Sequence, residues 1–291
     1  MRVFRNYRNI VILAFFLLLN AVIWHAVFRE SRVGVLTVAF LDIGQGDAIF
    51  IEAPNGNQML VDGGPNKQVL RALADVMPFY DHTIDAVVAT HPDQDHISGL
   101  VDVLNRFFVS AVFEPGVNAS TSAYQTLEKT IAEKKIPRIL ARRGMRIVLD
   151  EGVSLNVLFP DRDVSNTETN TASIVTQLHY GNTNVLLTGD SPEAIEKYLV
   201  SLDGKALRSD VLKPGHHGSK TSSSLEFVAA VAPTYAVISA GKNNKYGHPH
   251  RETLDTLKRF GTPILRTDTS GTIIFESDGP AIRVVKGVGE N

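Results

Sequence analysis

The sequence contains no cysteine, so it has neither a disulfide nor a thiolate metal site. That absence suits an oxidising compartment without requiring one. Charge imbalance is also missing: 29 Lys and Arg against 31 Asp and Glu leave a formal net charge of −2. No global basic signal for nucleic acid remains, so any such site must be local. No internal repeat is evident, and long apolar runs are absent except at the N-terminus. What is present, 44% apolar and 21% charged content over 291 residues, describes a globular protein with a sizeable core, as one large domain or two small ones.

The one long apolar run covers residues 10–28, interrupted by Asn20 and His25, and is just long enough to span a bilayer as a helix. Arg2, Arg5 and Arg8 precede it, Trp24 suits an interfacial end, and no good small-x-small cleavage site occurs before Arg29. The expectation is an uncleaved anchor: residues 1–9 as a basic cytoplasmic N-terminus, 10–28 as a single transmembrane pass, and the remainder outside the cytoplasm. A cleaved signal peptide is the competing reading.

Beyond the run, apolar stretches alternate with helical spacing. Strands are expected at 35–41, 48–52, 58–61, 84–89, 111–114, 146–149, 153–159, 173–180, 185–188, 210–212, 235–239, 264–266, 272–276 and 281–285. Helices are expected from Pro65 to about Met77, with the proline in the first turn, and over 97–107, 122–135, 192–200, 222–231 and 250–260. Strands arrive in two batches, 35–115 and 146–286. Two sheets packed face to face, with helices on both outer faces, accommodate that order.

The densest chemistry lies in Thr90-His91-Pro92-Asp93-Gln94-Asp95-His96, on a strand-to-helix turn. One aspartate and one histidine there would read as a capped loop. His91, Asp93, Asp95 and His96 within six residues read instead as ligands for one or two divalent ions. Three further polar motifs end strands. Gly44-Gln45-Gly46-Asp47 offers a carboxylate that can bind metal or orient a ligand. Gly189-Asp190 places a carboxylate where it can bridge two cations. His216-His217-Gly218-Ser219 leads into a serine-rich stretch, 219–224. Each motif is weak alone; four of them at strand ends are a pattern.

These pieces carry a resemblance. The chain is similar to the metallo-β-lactamase superfamily, whose signature is a His-x-[His/Asp]-x-Asp-His loop after a strand. Within it the chain resembles the extracytoplasmic hydrolase domain of the ComEC family of DNA-uptake (competence) proteins. The matching stretches are Leu41 to Asp47, Val61-Asp62-Gly63-Gly64, His91 to Leu100, Leu186 to Asp190, Leu212 to Ser224 and Tyr246-Gly247-His248-Pro249, in the family's order. The resemblance implies an α/β fold, an αββα sandwich over residues 33–286, with two divalent metal ions, zinc or manganese. His91 and Asp93 would bind one ion, Asp95 and His96 the other, with Asp190 bridging and one of His216 and His217 completing the second site. Asp62 would support the ligands from behind, and Asp47 would orient them.

Two departures matter. Many members have His where Asp93 stands, and another ligand histidine before the Gly-Asp motif. Here Asn170-Thr171-Ala172-Ser173 has none, and His179, the nearby histidine, lies in an expected strand. The first site is therefore oxygen-rich, which tilts it toward manganese and away from β-lactam hydrolysis.

What the resemblance implies functionally is a membrane-anchored, metal-dependent phosphodiesterase: a nuclease acting on extracytoplasmic DNA, single-stranded, in uptake beside a separate DNA-uptake channel or in scavenging. Asp95 would orient the nucleophile, and His248 would contact phosphate or protonate the leaving group. Ser219, Lys220, Lys242 and Tyr246 would bind substrate, with Lys213 and Lys245 extending a phosphate track and Tyr246 stacking a base. Ser219 and 221–224 read equally as ordinary helix caps. The alternatives are a hydrolase of a small ester (a phosphocholine, cyclic nucleotide or lactone) and a non-catalytic DNA-binding subunit.

Overall fold

The computed structural model describes residues 2–30 and 34–287. The chain forms two compact units, one ending at Gly34 and the other beginning at Val35. The first is a helix, α1 (Arg2–Glu30), whose window Tyr7–Trp24 has a mean hydropathy of 1.8 and is fully exposed. Among the described residues it is the one helix long and apolar enough to cross a membrane. The expected span 10–28 lies inside it. The expected domain start at Val33 lies outside the described residues.

The second unit holds two sheets built on one plan. In the first, β1 (Leu36–Phe40), β2 (Ile49–Glu52) and β3 (Gln58–Val61) run antiparallel. Next, β4 (Thr83–Val88), β5 (Phe108–Glu114) and β6 (Arg138–Leu140) continue in parallel. The parallel crossovers carry α2 (Gln68–Ala74), α3 (Gln94–Arg106) and α4 (Ser122–Lys134). In the second sheet, β7 (Arg146–Asp150), β8 (Val153–Phe159), β9 (Val175–Tyr180) and β10 (Thr183–Leu187) are antiparallel. Parallel strands β11 (Val211–Lys213), β12 (Tyr235–Ile238) and β13 (Ile264–Arg266) follow, with α5 (Glu193–Asp203), α6 (Leu225–Val231) and α7 (Arg251–Arg259) between them. After a short α8 (Thr267–Ser270), the hairpin β14 (Ile273–Ser277) and β15 (Ile282–Lys286) returns to the first sheet, β14 pairing antiparallel with β1.

Side-chain alternation makes the layers. Val38 and Phe40 of β1, with Val185 and Leu187 of β10, fill the space between the sheets. Ala39 faces the other way, into a cluster with Leu73, Leu100 and Leu127 from α2, α3 and α4. Leu186 likewise turns to Leu199, Phe227 and Leu257 of α5, α6 and α7. Three apolar layers between four structural ones make the αββα sandwich.

Several boundaries differ from expectation. The final hairpin leaves its own batch of strands and closes the first sheet, because Leu36–Phe40 has an open edge that Ile273–Ser277 pairs along five registered positions. Helix α2 starts at Gln68, and Pro65 lies outside it. Gly63 and Gly64 are instead tied to α3, by Gly63 N–H to His96 O (2.7 Å) and Gly99 N–H to Gly64 O (2.9 Å). A Cβ on Gly99 would lie 2.0 Å from Gly63 O, so only glycine permits this crossing. Strand β5 extends three residues earlier than expected, and β6 was not anticipated.

Topology then places the motifs. β3 and β10 are equivalent: each pairs antiparallel on one side and parallel on the other. Asp62 follows β3 and Asp190 closely follows β10; the turn 89–96 follows β4 and the turn 214–219 follows β11. Such switch points are where open α/β sheets gather ligands.

Candidate metal centre

Each histidine of the turn after β4 is oriented by Asp62, which the chain holds at φ +59° just past β3. Thr90 N–H donates to Asp62 Oδ1 at 2.8 Å, and the Thr90 hydroxyl donates to Oδ2 at 2.6 Å. His96 Nδ1 lies 2.8 Å from the same Oδ2. His91 Nδ1 lies 3.0 Å from Thr90 Oγ1, whose proton is already committed, so the imidazole nitrogen is the donor there. Both rings therefore donate from Nδ1, which directs Nε2 into the site. His217 follows the same rule, with Nδ1 donating to Ser239 O at 3.1 Å.

The three Nε2 atoms converge on one oxygen. Asp190 Oδ2 lies 3.3 Å from His96 Nε2, 3.5 Å from His217 Nε2 and 3.8 Å from His91 Nε2. Asp93 Oδ2 is 3.8 Å from His91 Nε2 on one side, and Asp95 Oδ2 is 3.3 Å from His217 Nε2 on the other. Asp93 is the N-cap residue of α3, yet its side chain makes no capping bond and turns to the site, with Thr169 as a hydrogen-bond partner. Asp47, His96, Asp190 and His217 form a buried group whose ligand atoms all lie within 4.8 Å of one another. Asp47 arrives there because its N–H bonds Asp95 O at 3.2 Å and because Gly46 has no Cβ, which would fall 2.0 Å from that oxygen.

This set fits a metal. His96 Nε2 and His217 Nε2 face each other at 3.3 Å, a separation that one shared proton bridges and that a bound cation can take over. Buried His91 Nε2, Asp190 Oδ1 and Asp47 Oδ1 have no hydrogen-bond partner. Burial opposes a proton on His217, yet Asp190 and Asp47 outweigh it and push that imidazole up to about 9. A bound ion replaces such protons. Burial also opposes charge on Asp190, but His217, His96 and Lys213 hold it well below the ordinary range. His91, buried beside His96, is held neutral.

Lys213, expected on a phosphate track, is fully buried at the end of β11. Its ammonium pairs with Asp47, lies 3.6 Å from Asp190 Oδ1 and donates to Gly189 O at 2.7 Å. It is an internal counter-ion to the acidic centre and touches no open surface. Nothing in its local sequence distinguishes this from an exposed lysine, apart from its position in an apolar strand.

The His216-His217 pair is separated by backbone geometry. Both residues have positive φ, +50° and +54°, a conformation costing about 1–2 kcal/mol for each non-glycine residue. The strain sends His217 into the centre and leaves His216 at the rim, with its side chain 32% exposed and Nε2 3.9 Å from Asp190 Oδ2. His248 is buried on the same side, its ring 5.4 Å from that of His216 and stacked on Tyr246 at 5.6 Å. Burial and the neighbouring imidazoles lower its pKa to about 4, and its Nδ1 has no partner. It is neutral at pH 7, so it can donate one hydrogen bond but carries no spare proton as an acid.

The serine run is occupied by the protein itself. Ser223 and Ser224 N–H donate to the buried Glu196 carboxylate at 2.6 and 2.8 Å, and Ser224 Oγ caps α6. The Ser219 hydroxyl lies 3.0 Å from Thr221 Oγ1 and is buried. These residues are caps and braces, and the N–H groups of 219–224 are bonded within the protein. Lys220, Lys242, Lys245 and Tyr246 are exposed. The sequence reading gave no role to Thr90, quoted there only as the start of the turn, or to Glu196; Thr90 acts through its N–H and hydroxyl on Asp62, and Glu196 by accepting two backbone N–H groups far along the chain.

Fold and centre together define a metal-binding αββα hydrolase. The metallo-beta-lactamase superfamily model matches residues 41–242, and the chain belongs to that superfamily. It is 32% identical over 255 residues to ComE operon protein 3 of Bacillus subtilis, covering 82% of this chain and 32% of that protein. It is 31% identical over 242 residues to competence protein ComA of Neisseria gonorrhoeae, again covering 82% and 32%. The chain thus spans about a third of the length of these relatives. Among solved structures, the metallo-beta-lactamase fold protein YhfI from B. subtilis superposes with a TM-score of 0.56 at 12% identity, over 83% of this chain and all of that one, a likeness of fold.

Proposed function

We propose that this protein is a metal-dependent phosphodiesterase, a nuclease acting on extracytoplasmic DNA and anchored to the membrane by α1. The observation that carries the reading is the convergence of three imidazole Nε2 atoms on Asp190 Oδ2, flanked by Asp93 and Asp95. The names of the relatives, a competence protein and a ComE operon protein, support DNA as substrate. Single-stranded DNA and a separate uptake channel are the partners this reading assigns.

His91 and Asp93 would hold one divalent ion, Asp95, His96 and His217 a second, with Asp190 between them. When bound, zinc or manganese ions acidify water and neutralise the phosphate oxygens. The chain's own work is positional. Asp62 fixes the protonation of His91 and His96 at Nδ1. Lys213 keeps Asp47 and Asp190 ionised. Asp95, partly open to solvent, would orient the attacking water. His248, beside the rim histidine His216, would donate a hydrogen bond to a phosphate oxygen, a task its neutral state suits. Lys220, Lys242 and Lys245 attract the strand electrostatically.

The test uses the full chain in detergent, stripped of metal, with labelled single- and double-stranded DNA and added manganese or zinc. Metal-dependent cutting that Asp190→Ala abolishes is the expected result. Metal binding without DNA cleavage, but with turnover of a lactone or phosphocholine, would replace this reading with a small-ester hydrolase. DNA binding with no hydrolysis of any of these would leave a non-catalytic subunit.

A further inference from the structure

Beside the metal centre lies a cavity of about 610 Å³, with Asp95 in its wall. Its lining comes from segments far apart in sequence: 43–45, 65–66 with Gln68, the start of α3, and 244–246. The chemistry of that lining is unusual for a protein that cuts a polyanion. It holds one cation, Lys245, and one carboxylate, Asp95. The dominant groups are carboxamides, Gln45, Asn66, Gln68, Gln94 and Asn244, with one aromatic ring, Tyr246.

Such a lining is poorly matched to phosphate and well matched to a flat, neutral group rich in donors and acceptors. Carboxamides present both at once, the complement of a nucleobase edge. Gln45 is already fixed for this task. Its Oε1 accepts from Gly241 N–H at 3.1 Å, which joins the two loops of the cavity, while its covered Nε2 has no hydrogen-bond partner. Tyr246 is 51% exposed, and its ring is steadied by stacking on His248. Lys245 lies 5.0 Å over the ring and is itself exposed, so a base can take its place. The loop that carries Tyr246 is held by Asn244, whose amide donates to His248 O and accepts from His248 N–H.

We propose that this cavity is a nucleobase subsite, which receives the base next to the phosphodiester held at Asp95; the proposal rests on the phosphodiesterase reading above. It would make hydrolysis depend on the presence of a base, through stacking on Tyr246 and amide contacts from Gln45, Gln68 and Gln94. Aromatic stacking contributes about 1–3 kcal/mol per base.

The experiment compares two phosphodiesters with one leaving group: thymidine 5′-(p-nitrophenyl phosphate) and methyl p-nitrophenyl phosphate. The manganese-loaded full chain should prefer the base-bearing ester by at least about tenfold in kcat/KM. Tyr246→Ala and Gln68→Ala, both at exposed positions, should bring that ratio toward one, mostly through KM. A ratio near one in the wild type, or a ratio that neither variant changes, overturns the subsite and leaves the phosphodiesterase standing. If neither ester is turned over, the phosphodiesterase reading fails, and calorimetric titration with thymidine 5′-monophosphate decides the subsite. Binding weakened about tenfold by Tyr246→Ala would support it; no binding, or binding of maltose instead, would overturn it.

Discussion

The two halves of the sandwich share one strand plan but furnish the centre differently. The first half concentrates its ligands: His91, Asp93, Asp95 and His96 all sit on the turn between β4 and α3. That turn is held by its own helix start, with His96 and Ile97 N–H both bonded to Asp93 O. The second half spreads its contribution over the ends of β10, β11 and β12, as Asp190, His217 and His248. It holds them with devices the first half does not need: two consecutive left-handed residues, a buried lysine and a buried glutamate under the serine run. The ligands of one helical turn can share a single outside support, Asp62, whereas ligands on separate strands each need their own.

Five predictions sharpen or break that contrast. Asp190 is the group both halves share, so Asp190→Ala should reduce hydrolysis by roughly 10³-fold or more and lower bound metal, read by elemental analysis of the purified protein. Retention of full metal content would mean that the halves do not meet at this carboxylate.

Lys213 is the second half's counter-ion. Lys213→Met leaves Asp47 and Asp190 as buried, uncompensated charges, and should destabilise the metal-free protein by about 3–5 kcal/mol in urea unfolding. Added zinc or manganese should recover part of that loss. An unchanged midpoint would show that Asp47 is not held by this lysine.

The Glu196 brace makes the second half pH-sensitive. Burial raises Glu196 to about 7 against the chain's donation of two backbone N–H bonds. The unfolded chain releases this proton near the ordinary glutamate value, so the folded state binds it more tightly across the window between. Stability from this group therefore falls as pH rises from about 4.5 to 7, by at most about 3 kcal/mol. Relative to Glu196→Gln, the wild type should lose that much over this window in urea titrations at the two pH values. A constant difference between the two proteins would remove Glu196 from the account.

Asp62 and His216 give the smallest effects. Asp62→Ala frees both His91 and His96 to rotate, and should weaken metal binding by about 10–100-fold in competition titrations. His216→Ala, at the rim, should cost roughly tenfold or less, and His217→Ala should cost clearly more. Equal losses for the two histidines would undo the distinction drawn from their backbone angles.

Much of this was legible in the chain itself. The turn 90–96 announces a metal site because its ligands are neighbours in sequence, and the superfamily signature lies in the same residues. Most strands were visible because buried strands are apolar runs bounded by turns. The anchor-length helix was visible for the same reason. By contrast, the return of β14 to the edge of β1 and the pairing of Lys213 with Asp47 join residues more than 160 positions apart. Neither leaves a local pattern, because a burial or pairing partner depends on which surfaces the sheets bring together. The inward placement of His217 rather than His216 was decided by two positive φ angles, which the tertiary packing imposes against local preference. The serine run shows the same limit: its residues fit a phosphate cradle or a helix cap equally well, and only the arrival of Glu196 from α5 made it a cap. Residue types and short-range spacing set the chemistry that this protein has available. Long-range packing, with its burial and unpaired charges, decided which of those groups face the centre and which only hold it in place.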